Sequence, residues 1–229
     1  MSSAMPHLLL EALPMLLQGL GVTLGLALSA LLGGLLLGIP LGIARHEGPR
    51  WLRLPVSLYV ESIRSVPLIL FLVFIHYGLL PLLGYRPNFM VSSLLAFILF
   101  EAAYLAEIIR GGLRAIRPTE RDAAKSLGLS WRQQMQYVCL PLAVRRTLPT
   151  LVGQGISLLK DTSLASIVGV IELTRAGEII YEQTFQDFEI LCLQGLIYFL
   201  LCYGLSQACK RWENNTFQQE NTLLQSSQA

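Results

Sequence analysis

Charge is scarce in this chain. Of its 229 residues, 14% are Asp, Glu, Lys or Arg and 53% are hydrophobic, whereas a soluble domain carries about 25% charge. The mean hydropathy is +0.55, and the apolar residues come in long runs, which excludes an ordinary soluble domain. Lysine is rarer still. Only Lys125, Lys160 and Lys210 occur, and none follows a glycine. The G-x-x-x-x-G-K-[ST] phosphate loop is therefore missing, so any ATP chemistry belongs to another polypeptide. Cys139, Cys192, Cys202 and Cys209 lack metal-ligand spacing and read as reduced packing residues. His7, His46 and His76 are scattered, so no zinc-type cluster is expected. A net charge of +2 gives no reason to expect a nucleic-acid partner.

What the chain does have is membrane-length apolar sequence. Residues 13–44, 65–85 and 190–209 contain no charged side chain, and about 20 apolar residues suffice for a transmembrane helix. No Lys or Arg precedes the first run, and it is too long for a signal-peptide core, so it reads as a retained span. Two further helices carry charges, Glu101 and Glu107 in one, Lys160 and Asp161 in the other. The expectation is an all-α polytopic membrane protein of five spans, roughly 14–43, 57–80, 89–110, 147–170 and 190–209. Twelve basic residues fall on one side of this topology: Arg45, Arg50, Arg53, Arg114, Arg117, Arg121, Lys125, Arg132, Arg145, Arg146, Lys210 and Arg211. Lys and Arg favour the cytoplasm, which places the N-terminus outside and the C-terminus inside. The transmembrane domain then covers 1–211, and 212–229, rich in Asn, Gln and Ser, reads as a disordered polar tail. Five helices are few for the paired repeats of a secondary carrier, so a pore must form between subunits.

Between the third and fourth spans, about 113–142, the chain becomes basic and amphipathic. Its core runs Arg117-Pro118-Thr119-Glu120-Arg121-Asp122-Ala123-Ala124-Lys125-Ser126-Leu127-Gly128, with Leu140-Pro141 twelve residues on. Pro118 suits a first helical turn. Ala123, Ala124 and Leu127 share one face, where small residues permit close approach to a partner. Gly128 ends the helix, and Trp131 and Tyr137 suit an interface. By physics alone the segment could equally be an amphipathic loop at the membrane surface.

The D-A-A-x-x-x-G core followed by Leu-Pro resembles the cytoplasmic loop by which ABC-importer permeases dock on their ATPase. Asp122 stands where that family usually has Glu. The resemblance extends through Glu61-Ser62-Ile63-Arg64-Ser65-Val66-Pro67-Leu68, Phe100-Glu101-Ala102-Ala103-Tyr104, Gly153-Gln154-Gly155-Ile156 and Lys160-Asp161-Thr162-Ser163-Leu164. This set is similar to polar amino-acid permeases, closest to the glutamate/aspartate subset. The resemblance implies a type I importer fold in the bacterial inner membrane. It implies docking on the ATPase through Asp122, Ala123, Ala124, Leu127, Gly128 and Pro141. It implies a second permease subunit, the same or related, and an external solute-binding protein. ATP and Mg would be bound by the ATPase, with no cofactor and no catalytic residue in this chain. An ATP-independent carrier or oligomeric channel is the alternative.

Thr150, Gln154, Ser157 and Asp161 form one polar stripe on the fourth span. An ionisable group in a membrane faces a cavity or a partner. The resemblance places the substrate's α-ammonium at Asp161; otherwise Asp161 pairs with Lys160 or caps a break, though adjacent helical residues diverge by about 100°. Relatives that import basic amino acids carry Glu where this chain has Gln154. A neutral amide suits glutamate, aspartate, glutamine or asparagine, or serves a helix–helix hydrogen bond. Arg64, with Ser65 and Val66 before Pro67, either helps hold an anionic substrate or pairs with Glu61. Glu107 and Arg110 are spaced to pair, and Glu101 is left with a possible interhelical hydrogen bond.

Overall fold

The computed structural model describes the backbone of residues 5–86 and 88–226, and the side chains of 12–86 and 88–211. The extreme ends of the expected external N-terminus (1–4) and polar tail (227–229) lie outside the described residues. Among the described residues every regular element is helical. Three helices are long and apolar enough to cross a membrane, or four if one bent pair counts as a span.

The first helix, α1 (Met5–Glu47), is apolar around most of its circumference. It packs along α5 (Phe89–Arg114), the most buried of the three long apolar helices. Ala30, Gly34, Gly38 and Gly42 are spaced by four and so line one face of α1. The three glycines meet Glu101, Ala102, Leu105 and Ala106 of α5 at near-backbone distance. A Cβ on Gly38 would lie 2.8 Å from Leu105 Cβ and 3.0 Å from the Ala102 carbonyl oxygen, and one on Gly42 would lie 2.7 Å from the Ala106 carbonyl oxygen. In lipid, where the hydrophobic effect drives no helix pairing, such close contact supplies the attraction.

The second expected span, 57–80, is not one straight helix. Amphipathic α2 (Arg50–Arg64) buries Val56 and Val60. The chain then turns by 109° into Leu68–Leu82. Pro67 is extended, with ψ at 135°, and proline disfavours helical geometry in the residue before it. Beyond the bend lie α3 (Leu68–Val73), a π-helical turn (Phe74–Leu79) and α4 (Leu80–Leu82). A second π turn (Gln134–Cys139) stands at the same distance before another Leu-Pro, Leu140-Pro141. In both places the proline lacks the N–H of a normal turn and its ring crowds the carbonyl four residues back, and the wider turn relieves both.

The interspan loop forms α6 (Pro118–Ser126) and the short α7 (Trp131–Gln133). Across the second π turn it continues into α8 (Leu140–Asp161). The fourth expected span, 147–170, is thus shifted. Its α-helix begins earlier and stops at Asp161, followed by a 3-10 segment (Thr162–Val168) that Gly169 closes at φ 102°. Gly tolerates that left-handed backbone without penalty. With Arg145, Arg146, Lys160 and Asp161 along it, α8 is not among the helices apolar enough to count as a span by length and composition.

The acidic stretch after it contains α9 (Leu173–Thr184). The Glu172 carboxylate caps this helix by accepting the N–H groups of Thr174 and Arg175, each at 2.9 Å. It also accepts from Tyr198 Oη (3.0 Å) and Thr23 Oγ1 (3.3 Å), tying α9 to α1 and α10. Burial pushes this carboxyl above its usual range despite four donors. The last helix, α10 (Asp187–Ser226), continues through most of the segment expected to be disordered. No Pro or Gly stands between Lys210 and Ser226 to stop it. Only about a tenth of its apolar window is buried, so α10 needs lipid or another chain against most of its surface.

Candidate functional site: an exposed helix and a polar stripe

The loop helix is fixed by electrostatics at both ends. Arg117 N–H donates to Glu120 Oε2 at 2.9 Å. Arg146, at the start of α8, donates to Glu120 Oε1 and to the Ala115 carbonyl, both at 2.6 Å. Arg121 donates to Glu47 at the end of α1 at 2.5 Å. The helix is thereby clamped to α1 and α8 while its outer surface stays open. Leu127 is 78% exposed, and Asp122, Ala123, Gly128 and Pro141 are exposed with it. Gly128 ends the helix at φ 72°, as its position predicts. Ala124 does not share the open face. It is turned inward, 3% exposed, because neighbouring helical residues point about 100° apart and α6 rests on the π turn beneath it.

The Arg117 N–H and the Arg146 guanidinium hold the Glu120 carboxyl below the usual carboxylate range. A depressed pKa means that the clamp is present above the unfolded pKa, about 4.3, and lost as pH falls through the folded value. Protection of the amides across 117–121, taken relative to the intrinsic exchange rate, should therefore fall as the carboxyl is protonated, and in Glu120→Gln it should already be lower at pH 7. Unchanged protection in that variant would show that Glu120 does not hold the helix.

On α8 the stripe is not uniform. Gln154 Nε2 donates to Glu101 Oε2 on α5 at 3.0 Å, realising the helix–helix bond anticipated for both residues. Glu101 is 1% exposed, and its other oxygen, Oε1, has no hydrogen-bond partner. Thr150 is exposed and Ser157 partly buried. Asp161 is partly buried at the last turn of α8. No hydrogen bond or ion pair joins it to Lys160 or to another described residue, as the divergence of adjacent helical side chains leads one to expect. A separate cavity of about 910 Å³ lies on the other face of α8, lined by Leu28, Leu31, Val152, Ile156 and Leu205 among others, and it is almost wholly apolar.

Arg64, Ser65 and Val66 sit at the 109° bend. Arg64 does not pair with Glu61. Its Nη1 lies 3.9 Å from Glu107 Oε2, and its guanidinium carbon lies 5.3 Å from the Tyr104 ring centroid. Glu61 is taken by Arg45 at 2.5 Å, and Arg45 also reaches Glu107 at 2.6 Å. Arg110 donates to Glu107 from Nε at 2.9 Å, so the expected i,i+3 pair forms. Ser65 Oγ donates to the Glu61 carbonyl at 2.7 Å, and Val66 is 40% exposed. The Arg45 hub was not read from the sequence, since nothing local links Arg45 to Glu107, 62 positions away.

Comparison with known proteins adds an independent line. Residues 34–209 match the family described as the binding-protein-dependent transport system inner membrane component. The chain is 39% identical over 172 residues to a probable glutamine ABC transporter permease protein of Bacillus subtilis, covering 72% of this chain and 78% of that one. It is 36% identical over 204 residues to the glutamine transport system permease protein of Escherichia coli K12, covering 88% and 93%. It is 33% identical over 206 residues to the glutamate/aspartate import permease protein of E. coli O157:H7, covering 86% and 92%. Among solved structures, a crystal structure of an amino acid ABC transporter with histidines superposes with a TM-score of 0.83 at 31% identity, covering 90% of this chain and 96% of that one. An inward-facing methionine ABC transporter, at 20% identity and a TM-score of 0.76, shares the fold.

Proposed function

The chain belongs to the inner-membrane components of binding-protein-dependent ABC transporters, and from that premise we propose that it is the permease subunit of an ATP-driven importer of polar amino acids. Two permease subunits, identical or related, enclose the path. A separate ATPase binds ATP and Mg, and an external solute-binding protein delivers substrate to the opposite face. The observation that carries this reading is the clamped helix α6, with Asp122, Ala123, Leu127 and Gly128 open to a partner and the basic residues gathered around it. A five-span topology with the N-terminus outside counts α1, the bent α2–α4 pair, α5, α8 with its 3-10 extension, and α10. The twelve basic residues on one side support it. The names of the relatives span glutamine and glutamate/aspartate, so they support polar amino acids without singling out the acidic subset.

The test is coupling. In proteoliposomes with the ATPase and the binding protein, loaded binding protein should stimulate ATP hydrolysis. Leu127→Glu places a charge at the docking surface and should reduce stimulated hydrolysis and uptake together, by about tenfold or more, a typical loss for truncating an interface anchor. Stimulated hydrolysis and uptake at wild-type levels in this variant would contradict docking through α6. Transport with no ATPase present would instead favour an ion-driven carrier.

A further inference from the structure

The apolar cavity on the far side of α8 has no part in the path proposed above. It measures about 910 Å³ and lies between α1, α8 and α10, with the buried Leu105 and Ile109 of α5 as its floor. That is the volume of a ligand pocket, yet almost nothing polar lines it, so it holds no group that could fix a polar molecule. Its rim is open, with Leu24, Leu28 and Leu205 exposed. On α8 the lining residues Val152 and Ile156 each stand two positions from Gln154, about 200° round the helix. A path along the polar stripe therefore leaves this groove turned away from it, toward lipid. One of its walls, α10, buries only about a tenth of its apolar window. In a bilayer such a cleft fills with hydrocarbon, because an empty one forfeits the dispersion contacts of its lining.

Length and charge say which hydrocarbon. The lining on α1 runs from Leu24 to Ile39, roughly 22 Å of helix. One leaflet's hydrocarbon is about 15 Å deep, so an acyl chain fits along the groove. Basic residues stand at one end. Arg145 shares a face of α8 with the lining residues Leu148 and Val152, at i, i+3 and i+7. Arg211 follows the lining residue Ala208 by one turn on α10, with Lys210 beside it. In the topology proposed above this end is cytoplasmic. Long basic side chains snorkel to the headgroup level, and basic pockets between spans on the cytoplasmic side hold anionic headgroups. A zwitterionic headgroup gains less there, because its own cation is repelled.

We propose that the groove between α1, α8 and α10 is a binding site for an anionic phospholipid of the cytoplasmic leaflet, with an acyl chain along the leucines and the phosphate against Arg211, Lys210 and Arg145. The site is distinct from the substrate path and rests on the permease reading only for its orientation in the membrane.

The experiment is native mass spectrometry of the full-length protein, purified in mild detergent with the subunits that accompany it and titrated with phosphatidylglycerol or phosphatidylcholine. The wild type should keep one phosphatidylglycerol per copy of this chain and favour it over phosphatidylcholine. Each basic residue near an anionic surface contributes about fivefold, so Lys210→Gln combined with Arg211→Gln should cut that preference by about twentyfold. Gly155→Leu leaves the charges in place and fills the groove. A Cβ at Gly155 meets only side-chain atoms of Leu31, at 3.5 and 3.9 Å, so the backbone packing is kept, and this variant should lose the bound lipid while its subunits stay assembled. Equal binding of the two lipids by the wild type would overturn the proposal and mark an ordinary lipid-facing surface. Phosphatidylglycerol retained by an assembled Gly155→Leu would overturn it too; should that variant fail to assemble, the paired charge variant decides. A groove that takes neither lipid, with Leu205→Cys cross-linking to another subunit, would show a protein occupant and overturn it as well. Lipid retention is read without substrate, ATP or transport, so failed uptake leaves the lipid site standing and a failed titration leaves the importer standing.

Discussion

Asp161→Ala should cut ATP-driven amino-acid uptake by about a hundredfold while leaving the complex assembled. The carboxylate is partly buried at the end of α8, and no described residue pairs with it. Lys160 attracts it without forming a close ion pair, so a partly buried carboxylate there still lacks a hydrogen-bonded partner, and an amino acid's ammonium group is the chemistry that fits. Removing one member of a partly buried, hydrogen-bonded charge pair costs about 2–5 kcal/mol, and about 2.7 kcal/mol corresponds to the hundredfold loss. Because Asp161 has no structural partner to orphan, thermal stability should change little. Asp161→Asn keeps an acceptor and loses the charge, so its uptake should fall between the two. Uptake at wild-type level in Asp161→Ala would remove this residue from the path. A large drop in stability would reassign it to folding.

The second large effect is structural. Gly38→Leu should separate α1 from α5 and abolish stable assembly in the membrane. Even a Cβ at this position falls 2.8 Å from Leu105 Cβ and 3.0 Å from the Ala102 carbonyl oxygen, and the second of these is backbone that cannot rotate away. Overpacking a close contact costs about 1–3 kcal/mol for added methylenes, and a four-carbon side chain against backbone should lie at or beyond the top of that range. Gly25 is the control, since a Cβ there meets nothing within 4 Å. Gly25→Ala should be neutral or raise stability by about 0.5–1 kcal/mol, the helical preference of Ala over Gly. Thermal unfolding of the purified protein in detergent, read by size-exclusion chromatography, separates the two. Equal Tm values would show that the glycine face does not hold the bundle.

Much of this architecture could be read from composition and period. Two of the uncharged apolar runs became α1 and α10, the third became the segment from α3 to α4, the charge-bearing third span became α5, and Pro118 and Gly128 bound the loop helix because both residues restrict the backbone locally. The failures share a cause, which is that the deciding partner is distant in sequence. Pro67 was visible, but the 109° bend depends on what α2 and α3 each pack against. Ala124 looked like part of an open face until the π turn beneath α6 covered it. Gln154 and Glu101 lie 53 positions apart, so neither residue alone announces that the amide is committed. Arg64 sits three residues from Glu61 yet faces Glu107, because Arg45 reaches Glu61 from α1. The Gly34-x-x-x-Gly38-x-x-x-Gly42 spacing is written locally but was not read from the sequence; its role emerged from the α1–α5 contact.

The most direct test of the account is uptake of labelled L-glutamine into proteoliposomes containing this chain, its partner permease subunit if one is required, and the ATPase, with binding protein outside and ATP inside. The account predicts accumulation above the external concentration that stops when ATP is replaced by a non-hydrolysable analogue. Glutamine entry that continues unchanged with the analogue, or in vesicles lacking the ATPase, would contradict it.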